Sequence, residues 1–213
     1  MKAALFDLDG TLFDSLGVWA DIDAKFFAQR GLALPRDYAA TISGLSFRQT
    51  AEYTKEHFPI AESVDEIITI WHDMCKTEYV ERVLLKPFAR EYLLKLRQKG
   101  IKLAVVTTLT RELYEPCLKR NGIFELFDVF ATTDETSAHK RTGKVYLLAA
   151  ERLGVNPCDC AVFEDIYEGL EGAKAAGMSA CLVYDRHNQS RIERAKEIAD
   201  HYIESYEGLE LWI

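Results

Sequence analysis

Two carboxylates, Asp7 and Asp9, stand two positions apart in the segment FDLDGTLFDS, near the start of this chain of 213 residues. In an extended strand, residues two apart point to the same side. One such carboxylate can attack phosphorus as a nucleophile, and the second can protonate the leaving oxygen and then deprotonate water. Gly10 follows directly and lets the backbone turn sharply, so that successive N–H groups face an anion. The segment therefore predicts catalysis at a phosphate.

A second acidic pair, Glu164 and Asp165, follows the apolar run CAVF. In a parallel sheet the carboxyl ends of the strands meet at one edge, so we expect both acidic pairs to converge there. Like charges so close together are costly unless a cation or a proton separates them. Oxygen ligands without a nearby histidine or cysteine suit Mg²⁺, which commonly shares a substrate phosphate. The acids therefore predict metal-assisted phosphate chemistry.

Two further pairs of residues could bind a phosphate. One pair ends a predicted strand, and the other precedes a predicted helix. Thr107 and Thr108 end the run KLAVVTT and offer hydroxyl and N–H donors just before a predicted helix. Lys140 and Lys144 precede a later helix, and either can hold a phosphate oxygen as a point charge.

Five short apolar runs, most of them rich in β-branched residues, predict strands. They cover residues 3–6, 102–107, 129–131, 160–164 and 180–184. Amphipathic patterns that predict helices alternate with the later runs, at residues 88–99, 111–120, 144–153, 167–176 and 189–199. This alternation predicts an α/β fold with a doubly wound, Rossmann-like parallel sheet, covered by helices on both faces.

Residues 15–85 interrupt this alternation, because helical periodicity dominates there and no strand is predicted. Trp19, Ile22 and Phe26 share one helical face, and residues 47–57 and 64–80 predict two further helices. An insertion of this length far exceeds an ordinary crossover between strands. We therefore expect an all-helical cap domain at 15–85 and a core domain made of 1–14 plus 86–213.

Composition narrows the range of partners. The net charge of −8, from 26 basic and 34 acidic residues, argues against a nucleic-acid partner but allows a small anionic substrate. Five scattered cysteines form no evident disulfide framework, which predicts reduced thiols and a cytoplasmic protein. No apolar run approaches the length of a membrane span, so no membrane partner is expected. The expected oligomeric state is a monomer or a small homo-oligomer.

Together these residues resemble the haloacid dehalogenase (HAD) superfamily, subfamily I, in its β-phosphoglucomutase- and phosphatase-like branch. DLDGT is similar to the first motif, VVTT to the second and FEDIYEGLEGAKAAGM to the fourth, so the resemblance covers essentially the whole chain. It implies that Asp7 is the nucleophile, Asp9 the general acid and base, and Thr107 a phosphate ligand. It also implies an Mg²⁺ site of Asp7, Glu164 and Asp165 with the backbone carbonyl of Asp9, and a mobile cap.

The third motif departs from the pattern of this branch. It usually reads Lys–Pro–x–Pro–Asp–x–Tyr, whereas residues 140–146 read KRTGKVY. Counting back from Tyr146 puts the motif lysine at Lys140. Without the prolines Lys144 is a credible substitute, and we favour Lys140.

The resemblance implies a phosphate ester or sugar phosphate as substrate, since the family's dehalogenases and phosphonate-cleaving members replace the second acid, here Asp9. We predict a Mg²⁺-dependent phosphatase of a small phosphorylated metabolite. The alternative within the family is a mutase like β-phosphoglucomutase. That branch has a histidine five residues after the aspartate that is Asp14 here, where this chain has Trp19. Its substrate loop reads Gly–x–Ser–Arg, whereas this chain has GLSFR, with Phe47 inserted before Arg48. Both departures favour the phosphatase, and Trp19 and Arg48 remain candidate substrate contacts in the cap.

A third alternative is a catalytically silent binding or regulatory module. Receiver domains also carry a phosphorylated aspartate on a doubly wound sheet, but they are shorter and have no cap of about seventy residues. The presence of every expected catalytic acid argues against this alternative.

Overall fold

The strands of this protein form one six-stranded parallel sheet, in a computed structural model that describes residues 1–188 and 191–210. The strand order is β3-β2-β1-β4-β5-β6. The strands are β1 (Ala3–Phe6), β2 (Lys102–Thr107), β3 (Val129–Thr132), β4 (Cys160–Glu164), β5 (Ser179–Val183) and β6 (His201–Ile203). Chain order reverses at β1, which pairs with both β2 and β4, and a crevice for ligands opens at such a point.

The sheet is buried on both faces, which explains why its strands are almost continuously apolar. Every residue of β1 is fully buried. Phe6 packs on one face, where its ring stacks on Phe163 at 4.4 Å between centroids. Leu5 points to the other face and packs in a separate cluster with Val106 and Val162. The two clusters confirm the predicted doubly wound α/β fold.

Helices cover both faces and fill the long interval after β1. The helices in the described ranges are α1 (Leu16–Ala28), α2 (Tyr38–Ile42), α3 (Phe47–His57), α4 (Val64–Glu81), α5 (Ala89–Gln98), α6 (Arg111–Arg120), α7 (Thr133–Thr136), α8 (Lys144–Leu153), α9 (Tyr167–Ala175) and α10 (Ile192–Ile198). No helix in these ranges is both long and apolar enough to cross a lipid bilayer.

Most predicted elements are confirmed, and the differences lie where the sequence pattern is short. Strand β6 was missed, because three residues are too few to show a period, and it is ordered by pairing with β5. The helix predicted at 189–199 is observed from Ile192, and positions 189 and 190 lie outside the described residues. The short helices α2 and α7 were also not predicted.

Helices α1 to α4 lie between β1 and α5 in the chain. The two chain segments that connect these helices to the sheet run next to each other. The backbone N–H of Asp14 donates to the carbonyl of Leu84 at 3.0 Å, and that of Lys86 donates to Leu12 at 2.8 Å. Capping boxes that begin at Ser46 and Ser63 start α3 and α4. The inserted helices therefore begin and end at one place on the sheet edge.

Candidate active site

Three predicted acids meet at the carboxyl edge of the sheet, beside β1. Asp7 follows β1, Glu164 ends β4 and Asp165 follows it. All three side chains are buried, and one carboxylate oxygen from each lies within 4.8 Å of the others. The sequence predicted this convergence from the rule that parallel strands end at the same edge.

Lys140 enters this cluster as its buried cation. Its Nζ lies 2.7 Å from Asp7 Oδ1 and 2.6 Å from Glu164 Oε1, whereas Lys144 is exposed at the start of α8. Burial lowers the pKa of the Lys140 ammonium, but Asp7 and Glu164 more than offset this and raise it above its ordinary value. Lys140 is therefore charged. A Cβ at Gly172 would lie 2.1 Å from the Lys140 carbonyl oxygen, so the close packing of α9 on this turn requires glycine.

Glu164 is satisfied on one oxygen and unpaired on the other. Its Oε1 accepts hydrogen bonds from Lys140 and from the Tyr146 hydroxyl, each at 2.6 Å. Its Oε2 is buried and has no hydrogen-bond partner within the described part of the chain. Burial raises the pKa of Glu164 to about 7, with Asp7 adding to the shift and Lys140 opposing it.

Asp165 is held from two directions. Thr11 Oγ1 donates to its Oδ1 at 3.2 Å and Asn188 Nδ2 donates to its Oδ2 at 2.5 Å. Gly10, with a φ of 72°, brings the first loop so close that a Cβ there would lie 2.2 Å from Asp165 Oδ2. Burial raises the pKa of Asp165 well above its ordinary value, and the charges of Asp7 and Glu164 add to the shift.

The donor set of Asp7, Glu164 and Asp165 fits a hard divalent cation. Three carboxylates share a buried volume with one ammonium, which leaves negative charge that a divalent cation would neutralise. The ligands are oxygen atoms, as Mg²⁺ requires, and the unpartnered Glu164 Oε2 is available as one of them.

Asp9 is positioned by residues of the inserted helices. Ser15 Oγ donates to its Oδ1 at 2.5 Å, the Tyr79 hydroxyl also donates to Oδ1, and Trp19 Nε1 donates to Oδ2 at 3.2 Å. Burial raises the pKa of Asp9 to about 6, while the hydrogen bonds from Ser15, Tyr79 and Trp19 oppose the rise. This carboxyl can hold or release a proton near neutral pH.

Sequence reasoning missed Tyr79, and no motif could have found it. It lies seventy positions from Asp9, on the buried face of α4, and reads as an ordinary core tyrosine. Ser15 was interpreted only as part of the chain segment leading into the insertion. Only the packing of α4 against the loop after β1 brings Tyr79 to Asp9, and the Tyr79 ring also contacts Phe13 of that loop.

The remaining predicted residues divide into two groups. Thr108 lines the cavity above the acids, whereas the buried hydroxyl of Thr107 accepts a hydrogen bond from the backbone N–H of Leu109 at 3.1 Å. Arg48 lies outside the described cavity lining and pairs with Asp65 at 2.7 Å, with 54% of its side chain exposed. Phe47, its neighbour on α3, turns inward instead and packs on the Trp19 ring.

A cavity of about 330 Å³ lies between the acids and the inserted helices. Its core side includes Asp7, Asp9, Lys140 and Asp165, and its other side is mostly apolar and aromatic. The helix-side lining consists of Leu16, Trp19, Ala20, Asp23, Ala39, Ile42, Ser43, Gly44, Leu45, Phe47, Thr50 and Trp71. The cavity therefore lies between a cluster of charged side chains and a mostly apolar wall.

The doubly wound sheet and the acid–lysine cluster at its switch point define the class of protein as an α/β enzyme with a metal-compatible acidic site. The chain belongs to the haloacid dehalogenase-like hydrolases, because the model of that family matches residues 4–183.

Named relatives agree with this assignment. The phosphorylated carbohydrates phosphatase of Thermotoga maritima is 32% identical over 179 residues, which are 84% of this chain and 82% of that protein. Validoxylamine A 7'-phosphate phosphatase of Streptomyces hygroscopicus is 30% identical over 91% of each chain. The crystal structure of CbbY from Rhodobacter sphaeroides in complex with phosphate matches with a TM-score of 0.83 at 25% identity, over 98% of this chain and 96% of that one. The chain is therefore a phosphoric monoester hydrolase.

Proposed function

We propose that this hydrolase uses Mg²⁺ and an aspartyl-phosphate intermediate to cleave a small phosphorylated metabolite of carbohydrate type. The observation that carries the proposal is the pairing of two unlike carboxyls on one loop. Burial raises the pKa of Asp7, but the Lys140 ammonium at 2.7 Å opposes that rise. Asp9 accepts hydrogen bonds from uncharged groups, and burial raises its pKa to about 6. These different partners support a nucleophile at Asp7 and a proton donor at Asp9.

Asp7, Glu164 and Asp165 would hold the metal with their side chains, together with the backbone carbonyl of Asp9. The buried, unpartnered oxygen of Glu164 supports this ligand set. When bound, Mg²⁺ offsets the repulsion between an anionic nucleophile and an anionic phosphate.

In the first step, a carboxylate oxygen of Asp7 attacks phosphorus and the bond to the ester oxygen breaks. Asp9 gives its proton to that oxygen, so the organic product leaves as an alcohol. In the second step, Asp9 takes a proton from water, and the oxygen of that water attacks phosphorus. The bond from phosphorus to Asp7 breaks, inorganic phosphate leaves and both carboxyls return to their starting states.

Thr107, Thr108 and Lys140 would steady the phosphoryl oxygens during both steps. The charged Lys140 ammonium beside Asp7 supports this role, because it faces the position of developing negative charge. Thr108 is supported by its place in the cavity lining, and Thr107 by its place at the end of β2.

We further propose that residues 15–85 form a cap domain on a core of 1–14 plus 86–213. The paired connections at Asp14 and Lys86 support one hinge region, about which a cap could open for substrate and close to exclude water. Trp19, which lines the cavity and touches Asp9, would contact the substrate. Arg48 has no part in this proposal, because its guanidinium pairs with Asp65 outside the cavity lining.

The substrate class is supported by what the relatives act on. One acts on phosphorylated carbohydrates, and Hexitol phosphatase B of Escherichia coli, 26% identical over 194 residues, is named for a hexitol. A cavity of about 330 Å³ suits a small metabolite rather than a macromolecule.

Phosphate release from a panel of small esters, with Mg²⁺ and after its removal by a chelator, tests the proposal. We expect release that requires Mg²⁺ and is absent in Asp7→Asn. β-Glucose 1-phosphate belongs in the panel, with glucose 6-phosphate assayed as a product. Formation of the isomer without phosphate release would identify a mutase, and no turnover of any ester would favour a binding module.

A further inference from the structure

Asp23 lies on the face of α1 that lines the cavity. Leu16, Trp19, Ala20 and Asp23 follow one another at helical spacing, and all four are part of the lining. Trp19 touches Asp9, and Asp23 lies one helical turn further from it, about 6 Å along the helix axis. Asp23 therefore lies along the wall of the cavity, away from the reaction centre.

The Asp23 carboxylate is buried without a partner. The residue is 9% exposed, and no described residue forms a hydrogen bond or ion pair with its side chain. Burial raises the pKa of Asp23 to about 7. It is also the only charged side chain among the described residues that the inserted helices contribute to the lining.

Other buried acids outside the metal-binding cluster show how a structural carboxylate is satisfied in this molecule. Asp185, 4% exposed, pairs with Lys86 Nζ at 3.0 Å. Glu168, 3% exposed, accepts from Ser43 Oγ at 2.9 Å and Arg191 at 2.7 Å. Asp23 has no comparable support, so a role in folding does not explain a carboxylate there.

We propose that Asp23 is a specificity-determining residue that accepts a hydrogen bond from an N–H or O–H donor on the organic part of the substrate. The inference rests on the proposed phosphatase function and identifies the chemical group of the substrate that the cap would recognise. The spacing along α1 puts the recognised group several bonds away from the ester oxygen. A hydroxyl of a polyol or sugar and an ammonium group share this chemistry, and an alkyl chain lacks it.

The test compares kcat/KM for three esters of similar length: hexyl phosphate, sorbitol 6-phosphate and 6-aminohexyl phosphate. The variants are Asp23→Leu, which is apolar and of similar reach, and Asp23→Asn, which keeps an oxygen acceptor. The same substitutions at Asp21, exposed two positions earlier on α1, are the matched controls. Circular dichroism and thermal unfolding show that each variant is folded.

We expect Asp23→Leu to lower the preference of the enzyme for its better donor-bearing ester over hexyl phosphate by about tenfold or more. The substitutions at Asp21 should leave that preference unchanged. Asp23→Asn separates the two donor types, because it retains the preference for a hydroxyl and loses the preference for an ammonium.

An equal fall for all three esters, or an unchanged preference in Asp23→Leu, would overturn the inference while leaving the phosphatase intact. Failure of the unmodified protein to release phosphate from any ester would instead refute the proposed function, and the inference with it.

Discussion

The two sides of the cavity differ in whether their buried carboxylates have hydrogen-bond partners. On the core side, Glu164 and Asp165 each accept two hydrogen bonds from groups far away in sequence, and Lys140 neutralises part of the charge. On the helical side, Asp23 is nearly as buried and has no partner among the described residues. Groups proposed for the chemistry are fixed in place, whereas the group proposed for selection is left free to bind.

This difference has a physical basis. A reacting group gains from preorganisation, because a carboxylate already held at the right position needs no rearrangement in the transition state. A recognition group gains from being unpaired, since a hydrogen bond within the protein would have to be broken before the substrate could form its own. The cost is stability, which a buried and unpaired carboxylate lowers.

Replacing Asp7, the proposed nucleophile, should have the largest effect. Asp7→Asn keeps the shape of the side chain but replaces the anionic carboxylate with a neutral amide, which is a poor nucleophile, so turnover should fall by about a thousandfold or more. Phosphate release measures the loss, and thermal unfolding should show a folded protein. Activity close to that of the unmodified enzyme would contradict the mechanism.

Removing the buried cation should rank second. Lys140→Met leaves Asp7 and Glu164 facing each other without neutralisation, so turnover should fall about a hundredfold and the free energy of unfolding by about 3 kcal/mol. Lys144→Met is the control, because Lys144 is exposed at the start of α8. Equal losses in both variants would refute the assignment of Lys140.

Neutralising Asp23 should stabilise the protein. Its pKa rises from 3.8 to about 7 on folding, so the folded state binds more protons in that window and stability falls as pH rises through it. Asp23→Asn should therefore raise the free energy of unfolding by about 2 kcal/mol at pH 8 and much less at pH 5. Denaturant unfolding at both pH values checks this, with Asp21→Asn as control. A destabilised variant would mean that the carboxylate has a structural partner.

The smallest effect should come from Tyr79→Phe, which removes one hydrogen bond to Asp9. That bond opposes the rise in the pKa of Asp9, so its loss should raise this pKa further. The limb of the pH–rate profile that depends on protonated Asp9 should move to higher pH, with a change in kcat of roughly a few-fold. Tyr53→Phe, in the same set of helices but outside the cavity lining, should leave the profile unchanged.

Much of the core was predictable because its signals are local. Runs such as KLAVVT and CAVFE, which alternate with predicted helices, are typical of strands buried in a parallel sheet, and the polar ends of such strands share one edge. Asp7, Glu164 and Asp165 were found in this way. The missed strand β6 had no such signal, because three residues at an edge are defined by the neighbour with which they pair.

The main helices between β1 and α5 were predictable as helices, but their detailed packing was not. The apolar periodicity of the sequence predicted α3 and α4. Periodicity alone does not determine which of two adjacent residues on a helix faces the interior. Arg48 was a candidate substrate contact, and it lies outside the cavity lining, because Phe47 occupies the inner position. Asp23 was not predicted as a site residue, because a single aspartate on an amphipathic helix ordinarily faces water.

Local sequence patterns were therefore enough to predict strands β1 to β5, the family and the acids at the strand ends, because residues close together in the chain carry each of these signals. The folded structure was needed to show that Lys140 rather than Lys144 reaches Asp7, that Tyr79 holds Asp9, and that Asp23 faces the cavity unpaired. These relations join side chains that are distant in the chain. They arise from how the elements pack together, and the amino-acid pattern of any one element does not contain them.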